Sequence, residues 1–471
     1  MAARIDTPQS RRAVAVTAAV LVLLFGLYRV LRLDAFPVLT NDSMSYMERS
    51  LEYTSFNGIA HSRTVVRGFK YAGYPIFIAI CRGVSGLVGS DPLTTIVVVQ
   101  RLLFVAAIVM SVRLLGLFAL PVVYMLSGPS IVCFSNYVLT EGITIPLAVL
   151  YAGSLLLLDR GPRPLRCVGL SLCAAVSLVF MVMSKLPYAL FALPWIVVAV
   201  RAGLPARGRI LSHPALAMVV AGAILAGFIV HASLINKREF GRFFPTVNTG
   251  MALYWSAHYS VFKLRPQNRK VAELRGAFAK GNCYPRIYEV VREYPGLESS
   301  DILHDEAREL LRKAGISYHL ETLRSAGYAM VGGEKQELKG SLPKVLEHNG
   351  AGGFLGRPAP IRQMGEQAWL EKYNADRTPA TVPGLSRGPI APGNETRVQR
   401  WLWVILLAAV AVLVAVRRTG WTALAMCVSV VIFCALVGHM LADIWRYMLT
   451  PGMMLAVAGS WSIKELACGR R

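Results

Sequence analysis

Acidic residues are scarce in this chain. Its 471 residues include 27 Asp and Glu against 50 Lys and Arg, a formal charge of +23. Charged residues make up only 16% of the chain and hydrophobic ones 55%, where a soluble globular protein carries about 25% charged residues. That deficit, with the long apolar runs, excludes a soluble enzyme and a disordered basic tail. Short motifs of common site chemistry are missing too. No CxxC occurs among Cys81, Cys133, Cys167, Cys173, Cys283, Cys427, Cys434 and Cys468, which excludes a zinc ribbon or redox pair. There is no GxxxxGK[ST], no strand-linked GxGxxG, no DxD and no HExxH, so nothing points to a nucleotide, a nucleotide-sugar or a zinc protease. Gly384-Leu385-Ser386-Arg387-Gly388 fits GxSxG, but it lies in the Pro/Gly-rich stretch 378–393, without the strand-to-helix turn that exposes a hydrolase serine.

What the chain has in abundance is apolar runs close to the about 20 residues that cross a bilayer. They cover 13–31, 74–87, 94–112, 142–158, 168–184, 188–200, 215–235, 401–416, 422–441 and 447–463. No small-x-small cleavage site follows the first, which reads as an uncleaved membrane helix. Two shorter runs between 114 and 139, divided near Gly128-Pro129, read as a short helical hairpin. The expected fold is an all-α polytopic membrane protein with about twelve helical passes, the hairpin counted as two. Arg11 and Arg12, Arg160, Arg163 and Arg166, Arg201, Arg207 and Arg209, Arg417 and Arg418, and Lys464, Arg470 and Arg471 then fall on one side. By the positive-inside rule that side, with both termini, is cytoplasmic, and the protein sits in the cytoplasmic membrane.

This divides the chain into a membrane module 1–235 with a first outer loop 33–70, a large extracytoplasmic region 236–396, and C-terminal membrane helices 397–471. Residues 237–396 hold 23 basic and 17 acidic side chains, a balance that suits no nucleic-acid patch. Within them 301–316 reads as an amphipathic helix with Ile302, Ala307, Leu310 and Leu311 apolar, and 248–262 and 318–331 as interfacial helices. The stretches 350–356 and 378–393 are linkers. No internal repeat is visible, which disfavours repeat-built transporters.

Outside that segment only ten acids remain. Asp91 precedes Pro92 and reads as a helix cap, Asp159 abuts Arg160 in a cytoplasmic loop, and Asp6 and Glu465 are terminal. The other six, Asp34, Asp42, Glu48, Glu52, Glu141 and Asp443, share the outer membrane edge. Acids at bilayer depth are costly unless paired or wet, so the cluster points to an outward-facing polar site. Asp42 opens a surface helix whose apolar face is Met44, Met47 and Leu51; it is either the N-cap or a general base. Arg63, Arg67 and Lys70 follow, as headgroup anchors or as ligands of an anion. Glu141 suits the first turn of a helix by its charge, and Lys185 suits a turn where lysines snorkel. His439, Asp443 and Arg446 share one helical face, as a structural ion pair or a functional set.

Read in order, Asn41-Asp42-Ser43-x-x-Tyr46, Gly73-Tyr74-Pro75, Thr140-Glu141 and Arg446-Tyr447-x-x-x-Pro451 resemble the GT-C superfamily of integral-membrane glycosyltransferases. The likeness is greatest to the bacterial relatives of protein O-mannosyltransferases and of the aminoarabinose transferase, and covers 13–235 and 401–463. The resemblance implies transfer of a sugar from a polyprenyl-phosphate carrier at the outer face, with inversion, to a hydroxyl of a glycan, lipid or protein. It implies an acid of the first outer loop as base, and only Asp42 matches. This chain has Asp-Ser where many relatives have Asp-Glu, which leaves a second acid open between Glu48 and Glu141. Metal dependence varies across the superfamily, so no metal or other cofactor is inferred.

The chemistry stands on its own terms. A positioned carboxylate activates a poor hydroxyl nucleophile, worth about 10²–10⁴-fold. Cations neutralise the charge growing on a departing lipid phosphate; the candidates are Arg446, Lys185, Arg67 and Lys70, with Tyr46, Tyr74, Tyr447, Asp443 and His439 in support. The alternatives are a polytopic transporter or flippase for a lipid-linked or polyol substrate, and a non-catalytic envelope scaffold.

Overall fold

Among the described residues, the long apolar runs are helical. The structure is a computed structural model that describes residues 8–32, 73–161, 164–203, 213–241, 284–294, 297–316, 394–417, 420–437 and 444–468, and single positions at 37, 43, 46, 47, 50, 243, 253, 254 and 257. The helices are α1 (Pro8–Leu31), α2 (Gly73–Val88), α3 (Pro92–Leu115), α4 (Leu120–Leu126), α5 (Pro129–Val132), α6 (Glu141–Leu158), α7 (Pro164–Ser184), α8 (Ala192–Gly203), α9 (His213–Phe240), α10 (Tyr284–Glu293), α11 (Leu297–Ala314), α12 (Asn394–Arg417), α13 (Trp421–Val437) and α14 (Ile444–Ala467). Tight 3-10 turns occupy Gly116–Ala119, Cys133–Ser135 and Leu186–Phe191. Asp91 caps α3 as expected, its carboxylate accepting from Thr94 N at 2.8 Å, with Pro92 opening the helix.

Arg12–Leu31, Pro92–Leu126, Glu141–Leu158 and Leu165–Ser184 are long and apolar enough, by length and composition, to cross a membrane. Their surroundings differ. α6 is apolar all round and buried along nearly its whole length, as the central helix of the bundle must be. α1 and α7 leave Val14, Leu21, Leu24, Leu165, Leu172 and Val176 exposed, a surface that only lipid would solvate. The apolar core runs between α3, α6, α7, α13 and α14.

Pair contacts fix the helix directions. α6 and α7 are joined by five residues and run antiparallel, which brings Glu141 opposite Lys185. α14 runs parallel to α6: Thr144 meets Thr450 at 3.0 Å, and Arg160 pairs with Glu465 further along. At this second end Asp159 holds Arg201 at 3.0 Å, Lys464 donates to the Leu114 carbonyl, and Arg160 lies over the Trp461 ring. One end of the bundle is thus tied by charged residues of α8, α14 and the α6–α7 turn; the other carries the Glu141–Lys185 pair.

The direction of α3 corrects the sequence-based topology. Gly142 lies against Gln100, and Gly153 against Met110 and Leu114, so α3 and α6 are parallel. α3 therefore starts at the Glu141 end. The chain from Gly116 to Thr140 makes one net return to that end, not the two passes of a hairpin. α2 begins there as well, with Gly73 against the Ser184 backbone, and a three-residue turn joins it to α3. The stretch 74–87 is accordingly no separate crossing. Hydropathy finds a helix but carries no information about its direction, and the parity of basic loops was satisfied either way.

A second, smaller core joins α10 and α11. Leu303, Ala307 and Leu310 pack on Ile287, Val290, Tyr254 and Ala257, with Ile302 and Leu311 at its margin. This is the amphipathic helix expected at 301–316, begun four residues earlier at Leu297. Arg286 of α10 ties the pair together through Glu306 of α11 at 2.6 Å, and also pairs with Glu289 of its own helix at 3.1 Å. Leu253, Tyr254 and Ala257 are the described part of the helix expected at 248–262; the one expected at 318–331 lies outside the described residues. α9 and α12 reach into the expected loop region 236–396, to Phe240 and from Asn394.

Candidate functional site at the end of the central helix

Glu141 is the first residue of α6, and the irregular stretch 133–140 delivers it there. Its Oε1 receives a hydrogen bond from Lys185 Nζ at 2.7 Å, with the carboxylate fully buried and the lysine side chain 6% exposed. Thr140 Oγ1 donates to the other oxygen, Oε2, at 3.1 Å. Neither charge would be tolerated here alone; each is the condition for burying the other. The lysine thus turns inward to a carboxylate, where its sequence context suggested a snorkelling side chain.

A polar knot lies beside the pair. Gln100, within the apolar body of α3, is fully buried. Its Nε2 donates to the carbonyls of Ser135 and Tyr137, both at 3.0 Å, and its Oε1 accepts from Tyr74 OH at 2.7 Å. A buried amide is stable only with its donors and acceptor satisfied. Position 142 must be small for this reason: a Cβ there would lie 2.6 Å from the Gln100 amide. Position 73 is constrained alike, since a Cβ would come 2.6 Å from the Ser184 backbone nitrogen, next to Lys185. Arg101, the next residue of α3, donates to Asn136 Oδ1 at 2.9 Å from Nη2.

The first loop is anchored to the same place. Ser43 Oγ donates to the Val138 carbonyl at 2.8 Å. The Tyr46 ring meets Tyr74 edge-on at 5.2 Å, and Tyr74 stacks on Phe77 at 5.6 Å. Ser43, Tyr46, Met47 and Ser50 are all buried at helical spacing. The buried face of this helix is thus centred on 43, 46, 47 and 50; Met44 and Leu51, which the sequence placed on it beside Met47, lie outside the described residues.

Of the sequence-derived site residues, the structure brings together Glu141, Lys185, Tyr74 and Tyr46. Arg446 and Tyr447 are in the first turn of α14, with their side chains outside the description. From Thr450, opposite Thr144, residue 446 is about 6 Å back along its helix, and Glu141 about 4.5 Å back along α6. Their backbones are therefore near one level. Asp42, Glu48, Arg67, Lys70, His439 and Asp443 lie outside the described residues. Among the described residues no group of three or more His, Cys, Asp or Glu is arranged to hold a metal ion.

Sequence reasoning missed Gln100, Arg101 and Asn136. The signal was there for two of them: Gln100-Arg101 is a polar dipeptide inside the apolar run 94–112, and polar residues at such depth face protein rather than lipid. Averaging over the run hid it.

No protein-family model matches the chain, and no curated protein matches it. Among solved structures, the crystal structure of ArnT from Cupriavidus metallidurans bound to undecaprenyl phosphate aligns with 98% of this chain and 79% of that one, at 14% identity and a TM-score of 0.33. A superposition that loose assigns no residue of this chain a role.

Proposed function

We propose that the chain is a membrane-embedded glycosyltransferase that moves a sugar from a polyprenyl-phosphate carrier to an acceptor hydroxyl, with Asp42 as general base. The observation that carries this reading is the hydrogen bond from Ser43 to Val138. Ser43, the sequence neighbour of the candidate base Asp42, is thereby tethered to the segment that ends in Glu141. Acid, buried lysine and two tyrosines then share one end of an apolar bundle, where a lipid tail lies along the helices and its phosphate meets polar groups.

The roles follow from charge and reach. Asp42 takes the proton of the acceptor hydroxyl as its oxygen attacks the anomeric carbon, and the bond to the carrier phosphate breaks on the opposite face, which inverts the sugar. Arg446, Arg67, Lys70 and Lys185 supply positive charge to the leaving phosphate. Lys185 donates to Glu141 at 2.7 Å. Glu141 holds this lysine in place and stands with Glu48 as the second acid. The site faces outward and both termini are cytoplasmic.

The test is turnover. Purified protein is incubated with a panel of polyprenyl-phosphate sugars and hydroxyl acceptors, and transfer is followed by mass spectrometry. Asp42→Asn is expected to lower transfer by about 10²–10⁴-fold with expression and membrane insertion intact. Full activity in that variant overturns the assignment of the base. The buried Glu141–Lys185 pair equally suits a transporter or flippase, which places such pairs on its substrate path. Movement of a lipid-linked substrate across vesicles without chemical change would establish that alternative.

A further inference from the structure

The Glu141–Lys185 pair depends on the course of residues 135–142, and that course is irregular. Ser135 closes a 3-10 turn, and α6 begins only at Glu141. Helix hydrogen bonding does not engage the Ser135 carbonyl, and the Tyr137 carbonyl takes the Leu139 N–H at 2.8 Å; both also accept from one amide, Gln100 Nε2. The amide is oriented from its other side by Tyr74 OH, which donates to Oε1; that bond turns the NH₂ toward the two carbonyls. Gly142 completes the fit by leaving no side chain between α6 and the amide. The chain from Tyr46 through Tyr74 and Gln100 to 135–142 is continuous contact.

We propose that Gln100 is a positioning residue: it fixes the 135–142 segment, and through it the Glu141–Lys185 pair, and with Tyr74 it couples that pair to the first loop. Its part in transfer rests on the function proposed above. Its part in holding the pair does not.

Two readouts separate these. The first is chemical labelling of lysines in the full-length protein in detergent, using an amine-reactive reagent and peptide mass spectrometry. Lys185 is 5% exposed and is expected to resist labelling in the parent protein. In Gln100→Leu the Ser135 carbonyl loses its amide donor and the Tyr137 carbonyl keeps only the Leu139 N–H, and Lys185 is expected to label at least about tenfold faster. Lys464, at the opposite end of the bundle and bonded to the Leu114 carbonyl, is the internal control and keeps its parent rate. Tyr74→Phe removes one hydroxyl only, and is expected to raise Lys185 labelling less. Added to Gln100→Leu it has little further effect, because the two act through one contact. Unchanged Lys185 labelling in Gln100→Leu overturns the proposal. Should Lys464 labelling rise together with Lys185, the fold has loosened globally; Tyr74→Phe then decides, and parent-like labelling of Lys185 in it overturns the proposal.

The second readout is kinetic. Gln100→Leu is expected to lower kcat about tenfold or more with KM nearly unchanged, since the substrate-binding groups remain while their geometry does not. A parent protein without transfer activity removes the glycosyltransferase reading and leaves the labelling result to judge the positioning role. An active parent with a fully active Gln100→Leu removes that role from transfer.

Discussion

Glu141 and Lys185 are tolerated in an apolar bundle because they face each other. Breaking such a pair costs more than replacing it, since the survivor is a buried charge without its counterion. Glu141→Ala should therefore destabilise the protein by about 3–5 kcal/mol, measured by denaturant or thermal unfolding in detergent. Glu141→Leu combined with Lys185→Met should recover most of that loss, while transfer stays abolished. If the double variant is as unstable as the single, pairing is not what holds the lysine. The two residues were legible in the sequence as charges out of place, each with an ordinary explanation of its own. That they explain each other was not legible, because 44 positions, two helices and the turn between them separate them. Gln100 was harder still. A single amide changes the hydropathy of a 19-residue run very little, and only its hydrogen bonds reveal what it does.

Single helices were read well where their ends carried chemistry. The Asp91–Pro92 start of α3 and the apolar face of α11 followed from local physics. What ties helices to one another was not local. Asp159, one residue beyond α6, reaches Arg201 on α8 at 3.0 Å, near Thr422 of α13. Burial pushes its carboxyl above the ordinary value, against the lowering pull of Arg201, of nearby Thr422 and of Arg160. The sign of the stability effect follows. The folded state holds this proton more tightly than the unfolded one, so stability falls as pH rises from the ordinary value of 3.8 through the raised one. Asp159→Asn takes no part in that titration. Its unfolding midpoint relative to the parent should climb with pH across this window and level off above it. A difference that stays flat with pH would mean that Arg201 fully offsets the burial, and that the carboxylate is held ionised at no cost.

For the molecule as a whole, the open question that the fold answers differently from the sequence is which loops share a side. Apolar runs and basic loops gave an alternating count in which the 88–92 turn and the 159–163 turn both faced the cytoplasm. The parallel course of α3 and α6 puts them at opposite ends. Pro92 stands eight residues before Gln100, about 12 Å further out on the Glu141 side. Asp159 and Arg160 belong with Arg201 and Glu465 at the other end. Membrane-impermeant thiol labelling separates the two arrangements. Cys468 is exposed and follows α14 at the charged end; Ser90 is exposed in the α2–α3 turn. With all other cysteines replaced, native Cys468 and Ser90→Cys, each alone, should label from opposite faces of sealed vesicles. Ser90→Cys should react from the same face as the first loop and, in the orientation proposed, from outside the cell. Labelling of both from one face would restore the alternating topology and with it the two-pass hairpin. It would also move the α2–α3 turn away from Glu141, and the Tyr74–Gln100 bond, which needs the start of α2 beside the body of a parallel α3, would have no place in the membrane-embedded protein.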